Sequence, residues 1–149
     1  KHFLMHRVFF FLIFICITNI CFSQTEITWK DLEDVEFSDM YVEEVDEYVL
    51  YPHFGQSVKD LEGKEIILSG YILAISPDDG YYVLSKGPFA SCFFCGGGGP
   101  ETIVELFLKS DKDYFMMDEF ITMKGVFRLN SEDIYHCNYI LDDAEVHSR

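Results

Sequence analysis

Positive charge is what this sequence has least of. Eleven Lys and Arg stand against 26 Asp and Glu in 149 residues, a formal net charge of −15. Phosphate backbones and anionic membrane surfaces are held by clustered lysines and arginines, which are missing here, so nucleic acid is excluded as a partner. Long apolar runs are missing too. The longest, residues 8–17, falls short of the roughly 20 residues a helix needs to cross a bilayer. Nor is there a serine nucleophile elbow, a phosphate loop, an H-E-x-x-H pattern or a carboxylate pair that stands out from the acidic background. With no catalytic constellation, the chain reads as a binding or accessory protein and not as an enzyme.

The first 23 residues decide which cysteines count. Lys1 and Arg7 precede the apolar stretch, and Cys21-Phe22-Ser23 sets a small residue before Gln24, the three-part layout of a cleaved secretory signal. Lipidation at Cys21 is the rival reading, but Asn19 and Ile20 are not the small residues expected before an anchor cysteine. The expectation is a cleaved signal over residues 1–23 and a free periplasmic or secreted protein with no stable membrane span. Cys16 and Cys21 leave with the signal. Residues 24–149 then carry nine basic residues against 26 acidic ones, a net charge of −17, and make one domain by length.

Within that domain the hydrophobic period changes once. Residues 28–35 read as a short helix, with Thr28 and Asp31 in capping-box spacing and Trp29, Leu32 and Val35 on one face. Residues 36–54 are acidic and aromatic without a clear period. Residues 57–63 look like one capped helical turn closed by Gly63. Residues 24–63 thus form a helical or irregular N-terminal extension. Residues 64–149 read as five β segments, over 65–75, 81–86, 102–109, 119–129 and 137–146. The first and fourth are long and carry a central glycine each, Gly70 and Gly125, as strands do at the corner of a barrel. The predicted fold is all-β, a five-stranded OB-fold-like Greek-key barrel with a short helical N-terminal extension.

The most distinctive stretch is Cys92-Phe93-Phe94-Cys95 followed by Gly96 to Gly99, Pro100 and Glu101. Around it, "PFASCFFCGGGGPETIVEL" resembles a segment of exported OB-fold domains of the tRNA-anticodon-binding-like type, from a poorly characterised envelope family of Gram-negative bacteria. The resemblance covers the barrel and is specific around Cys92 to Glu101. It implies the fold and the compartment.

Two candidate sites follow. OB-folds bind ligands across strands two and three, where this chain offers Tyr81, Tyr82, Lys86, Phe107 and Lys109 as a stacking face; the competing reading has about half of these filling the barrel. The second site is made of sulfur. The Cys92/Cys95 loop follows strand two and the His136-Cys137 pair follows strand four; crossing two strands returns the chain to the same barrel end, so the two segments can meet. Cys92, Cys95 and Cys137 or His136 would suit zinc or another thiophilic ion, with His53, Glu101, His147 or water as a fourth ligand. Glycines after Cys95 permit a tight turn whose N–H groups can face thiolates. Alternatively, in an oxidising compartment Cys137 bridges Cys92 or Cys95, leaving a disulfide-braced interaction module that docks an envelope protein partner without metal. A redox-active C-x-x-C is the third reading, weakened because four glycines and a proline cannot start the helix that lowers a thiolate pKa.

Overall fold

Strand pairing starts at Thr25 in a computed structural model that describes residues 24–149. The expected export signal, with Cys16 and Cys21, lies outside the described residues. The strands are β1 (Thr25–Glu26), β2 (Val35–Val42), β3 (Glu47–Phe54), β4 (Glu65–Ser76), β5 (Tyr81–Ser85), β6 (Ile103–Leu108), β7 (Phe120–Leu129) and β8 (Tyr139–Ser148), with a single-turn helix α1 at Gln56–Lys59.

β4 to β8 close into a five-stranded barrel in the order β4-β5-β6-β8-β7, with β7 pairing back onto β4. Within the ring all neighbours are antiparallel except β6 and β8, which run parallel. Alternation drives the closure: Ile66, Leu68 and Ile72 of β4 and Ile121, Met123 and Phe127 of β7 turn into one interior at essentially zero exposure, while Ser69 and Thr122 stay partly exposed and share a 2.8 Å hydroxyl bond. A smaller cluster of Leu73, Val83, Cys92 and Ile103 is buried apart from that interior. β1 extends the sheet by pairing in parallel with β4, Thr25 opposite Ile66. Among the described residues no helix is long and apolar enough to cross a membrane.

The N-terminal extension is not helical. The expected helix over residues 28–35 shrinks to one 3-10 turn, Trp29–Leu32, started by the Asp31 carboxylate, which accepts from the Thr28 N–H and Oγ1 at 2.7 Å each. Val35 leaves the turn because it has a strand partner, Phe54, and Asp34 accepts from the Gly55 N–H at 2.7 Å. Cross-strand pairing thereby overrides the local capping signal. Residues 36–54, where no period was evident, form the β2–β3 hairpin, in unbroken register from Val35↔Phe54 to Val42↔Glu47. The predicted turn over residues 57–63 appears as α1, with Ser57 N–H and Oγ donating to Asp34 Oδ2.

Among the bonds that tie this extension to the barrel, two hold the Trp29–Leu32 turn. Trp29 Nε1 donates to the Ser69 carbonyl at 2.9 Å, and Tyr139 Oη donates to the Leu32 carbonyl at 2.8 Å. Leu32 has no exposed surface, so its carbonyl has no water to fall back on. Tyr139→Phe is expected to cost about 1 kcal/mol and to speed amide exchange in the Trp29–Leu32 turn more than in the barrel. Uniform acceleration would mean that the bond does not anchor the turn.

Candidate functional site

The cysteine loop, residues 86–102, is built from three consecutive 3-10 turns, Phe89–Ser91, Phe93–Cys95 and Pro100–Thr102. Its start is pinned by the Phe89 N–H donating to Asp118 Oδ1 at 2.6 Å. Gly96 takes φ +78°, and a Cβ on Gly97 would lie 1.9 Å from the Ser91 carbonyl oxygen, so both positions require glycine. The expected tight turn is present, but its amides do not face sulfur. Gly96 N–H donates to the Phe93 carbonyl, and Cys95 and Gly97 both donate to the Cys92 carbonyl, at 2.9 to 3.1 Å.

Cys92 is buried, and Cys95 is exposed beside it. Partial desolvation and the neighbouring Cys92 sulfur push the Cys95 thiol above its ordinary range. Cys137 packs from the opposite loop against the small cluster that holds Cys92. The two cysteine segments therefore do share one barrel end. All three are free thiols, so the expected bridge from Cys137 to Cys92 or Cys95 is not formed.

A residue that sequence reasoning passed over organises the Cys137 side. Glu105, in the middle of β6, is 3% exposed; its Oε1 bonds His136 Nδ1 at 2.8 Å and its Oε2 accepts from the Cys137 N–H at 2.9 Å. A carboxylate accepts, so His136 donates through Nδ1 and turns its Nε2 outward, with Asp133 Oδ2 4.0 Å away. The only advance signal was one acid in an otherwise apolar strand, Ile103 to Leu108. Burial and the charge of Glu105 push the Cys137 thiol up to about 12, partly countered by a hydrogen bond from the Tyr81 hydroxyl, and burial with the same neighbours raises Tyr81 to about 12. Both groups are protonated at neutral pH.

Asn130 holds the loop that presents this pair. Its Nδ2 donates to the carbonyls of Asp133, His136 and Cys137 at 2.7 to 3.3 Å, and its Oδ1 accepts from the amides of Glu132 and Asp133. The fourth-ligand candidates fall elsewhere in the fold's bonding: His53 Nε2 bonds Ser38 Oγ at 2.8 Å in the hairpin, Glu101 sits in the turn beside Trp29–Leu32, and His147 lies near the exposed end of β8. Among the described residues no three His, Cys, Asp or Glu side chains are gathered closely enough to hold a metal ion as they stand.

The stacking face fares differently residue by residue. Tyr82 has no exposed surface and packs edge-on against Phe115 inside the barrel, so it fills the core. Lys86 is paired with Glu33 at 3.1 Å and Lys109 with Glu145 at 3.0 Å, both at the exposed surface. Phe107 is 39% exposed, yet one side meets the His136 ring and the Arg128 guanidinium lies 5.5 Å from its centroid. Tyr81 lines a cleft of about 440 Å³ at the cysteine end, walled by β3, by Phe93 and Phe94, and by the residues around His136 and Cys137.

No family model and no curated protein matches the sequence. Among solved structures the chain is similar to a DUF3299 family protein from Pseudomonas aeruginosa PAO1, with a TM-score of 0.50 and 16% identity over 85% of this chain and 98% of that one. At that identity the likeness extends to the fold alone: a mostly β chain built on a closed five-stranded barrel.

Proposed function

We propose that this chain is an exported OB-fold domain of the cell envelope that binds zinc or another thiophilic ion at its cysteine end and acts as a binding or accessory protein. The strand order β4-β5-β6-β8-β7, with its one parallel pair, supports the OB-fold reading. The observation that carries the metal reading is the meeting of Cys92, with Cys95 beside it, and Cys137 in one small cluster. Cys92 and Cys95 supply a two-sulfur bite, Cys137 closes from the other loop, and His136 Nε2 is the nitrogen within the same constellation. A cation beside Cys137 reverses the electrostatics there, because Glu105 then attracts where it had penalised the thiolate. Uptake needs the glycine-rich loop to draw the three sulfurs together and each bound thiol to lose its proton.

The sign of the pH dependence follows. The Cys95 and Cys137 thiols are held above their ordinary range, so binding releases protons and apparent affinity rises with pH, about tenfold per pH unit for each proton released. Native mass spectrometry of the chain titrated with zinc at pH 6, 7 and 8 is expected to show one ion per chain and that steep rise, with loss of the bound ion in Cys92→Ser. A second reading is favoured by the shared cluster of Cys92 and Cys137: oxidation bridges them and leaves a metal-free module that docks an envelope protein. A chain that takes no ion, with one alkylatable thiol before reduction and three after, would replace the metal reading with this one.

A further inference from the structure

The cleft beside the cysteines has a wall that metal binding leaves unexplained. Four consecutive residues of β3, Val49 to Pro52, line it, together with Met40 of β2 opposite Val49. Side chains along a strand alternate between its two faces, so four in a row bring the edge of β3 to the cleft as well as one of its faces. The other edge of β3 is taken by β2, and among the described residues this sheet has no third strand. Register fixes which groups are free. The Gly55 N–H points toward β2, at the Asp34 carbonyl, and counting back in twos sends the odd-numbered residues of β3 the same way. Tyr48 and Leu50 therefore turn their main-chain groups outward, which leaves two N–H donors and two carbonyls before the buried Pro52 ends the ladder.

Charge narrows the occupant. No Lys or Arg lines this cleft, nor the groove of about 580 Å³ across Tyr81 and His136, where Asp78, Asp79, Asp111 and Asp113 stand. The polar end of the cleft holds the Asp133 carboxylate, with the His136 ring 4.0 Å from it. Its walls are Leu50, Phe93 and Phe94, with Leu50 and Phe94 nearly half exposed.

We propose that the cleft receives an extended segment of a partner protein, which pairs with the free edge of β3, seats an apolar side chain between Leu50 and Phe93, and sets a basic residue against Asp133 and His136. Main-chain bonds to an unpaired edge give such complexes their affinity, and pockets for alternate side chains give the specificity. This docking needs no metal, and an ion held on His136 would compete with the basic residue.

The probe is a fluorescein-labelled decapeptide, Thr-Val-Thr-Val-Phe-Arg-Val-Thr-Val-Thr, titrated against residues 24–149 with chelator present. Saturable binding is expected, weakened about tenfold by Arg to Glu in the peptide and by Asp133→Asn in the protein, a loss of one charged contact. N-methylation of one set of alternate peptide amides abolishes binding, and of the other set leaves it intact, because only one set faces β3. Leu50→Pro removes an outward donor and has the same effect as the damaging set; β2–β3 amide protection in that variant verifies that the hairpin persists. Equal binding by both methylated peptides, or no binding by any, overturns the proposal. So does a concentration-dependent dimer in sedimentation that the peptide does not dissolve, or preference for a peptide of residues 1–23, since each assigns the edge to this chain itself.

Discussion

Gly125→Ala is expected to melt the barrel about 10 °C below the native chain, and Gly70→Ala nearly as far below it. A Cβ at Gly125 would stand 2.6 Å from the Asp142 carbonyl oxygen and 2.8 Å from Leu141 Cγ; one at Gly70 would stand 2.6 Å from the Ser85 carbonyl oxygen. Those oxygens belong to neighbouring strands and cannot rotate away as a side chain would. At Gly125 the crowding has a visible source: the β7–β8 register shifts between Lys124↔Glu145 and Val126↔Asp142, so Asp143, at φ +51°, and Ala144 bulge opposite the single glycine. Forcing the strands apart costs about 2–4 kcal/mol, and a domain of this size loses roughly 3–5 °C per kcal/mol. Gly87→Ala is the control, because the added methyl first meets the rotatable Ser91 Oγ at 3.0 Å. Thermal unfolding followed by circular dichroism decides it; melting points for Gly125→Ala and Gly87→Ala within two degrees of each other would show that the bends tolerate a side chain.

The second large effect is expected at Glu105. Glu105→Ala removes the only partner found for the Cys137 N–H and frees the His136 ring, leaving a buried donor unsatisfied at a cost of about 3 kcal/mol. Glu105→Gln costs about 1 kcal/mol and changes the chemistry instead. An amide has one acceptor; with that oxygen kept on the Cys137 N–H, its NH₂ faces His136 Nδ1, and the imidazole proton moves to Nε2. Nitrogen NMR of the ring should report that switch. The Cys137 thiol, relieved of the Glu105 charge, falls from about 12 and alkylates faster at alkaline pH. An unchanged tautomer in the glutamine variant would show that Glu105 does not set the proton on His136.

The five barrel strands were legible because their signals are local and agree: period-two alternation, turn residues between them, and glycines where strands bend. Each predicted strand overlaps its counterpart to within about two residues at either end. The hairpin was not legible. In β2 and β3 acidic and aromatic residues crowd both faces, so no apolar alternation marks a core side, and only the pairing of Val35 with Phe54 gives residue 35 its strand. The same pairing explains the lost helix at residues 28–35. In the site, parity along the barrel sufficed to bring Cys137 to Cys92. Sequence could not say that Tyr82 points inward or that Lys86 and Lys109 would meet Glu33 and Glu145, partners 53 and 36 residues away. Glu105 was invisible for a related reason: its role lies in two donors about 30 residues further on.

The position of β8 between β6 and β7 has a consequence in time. A chain emerging from N- to C-terminus makes β4, β5, β6 and β7 first, yet β6 and β7 share no ladder until residues 139–148 slot between them. The ring cannot shut before β8 is made. Until that ten-residue strand is free, the barrel remains an open sheet with its β6 and β7 flanks exposed.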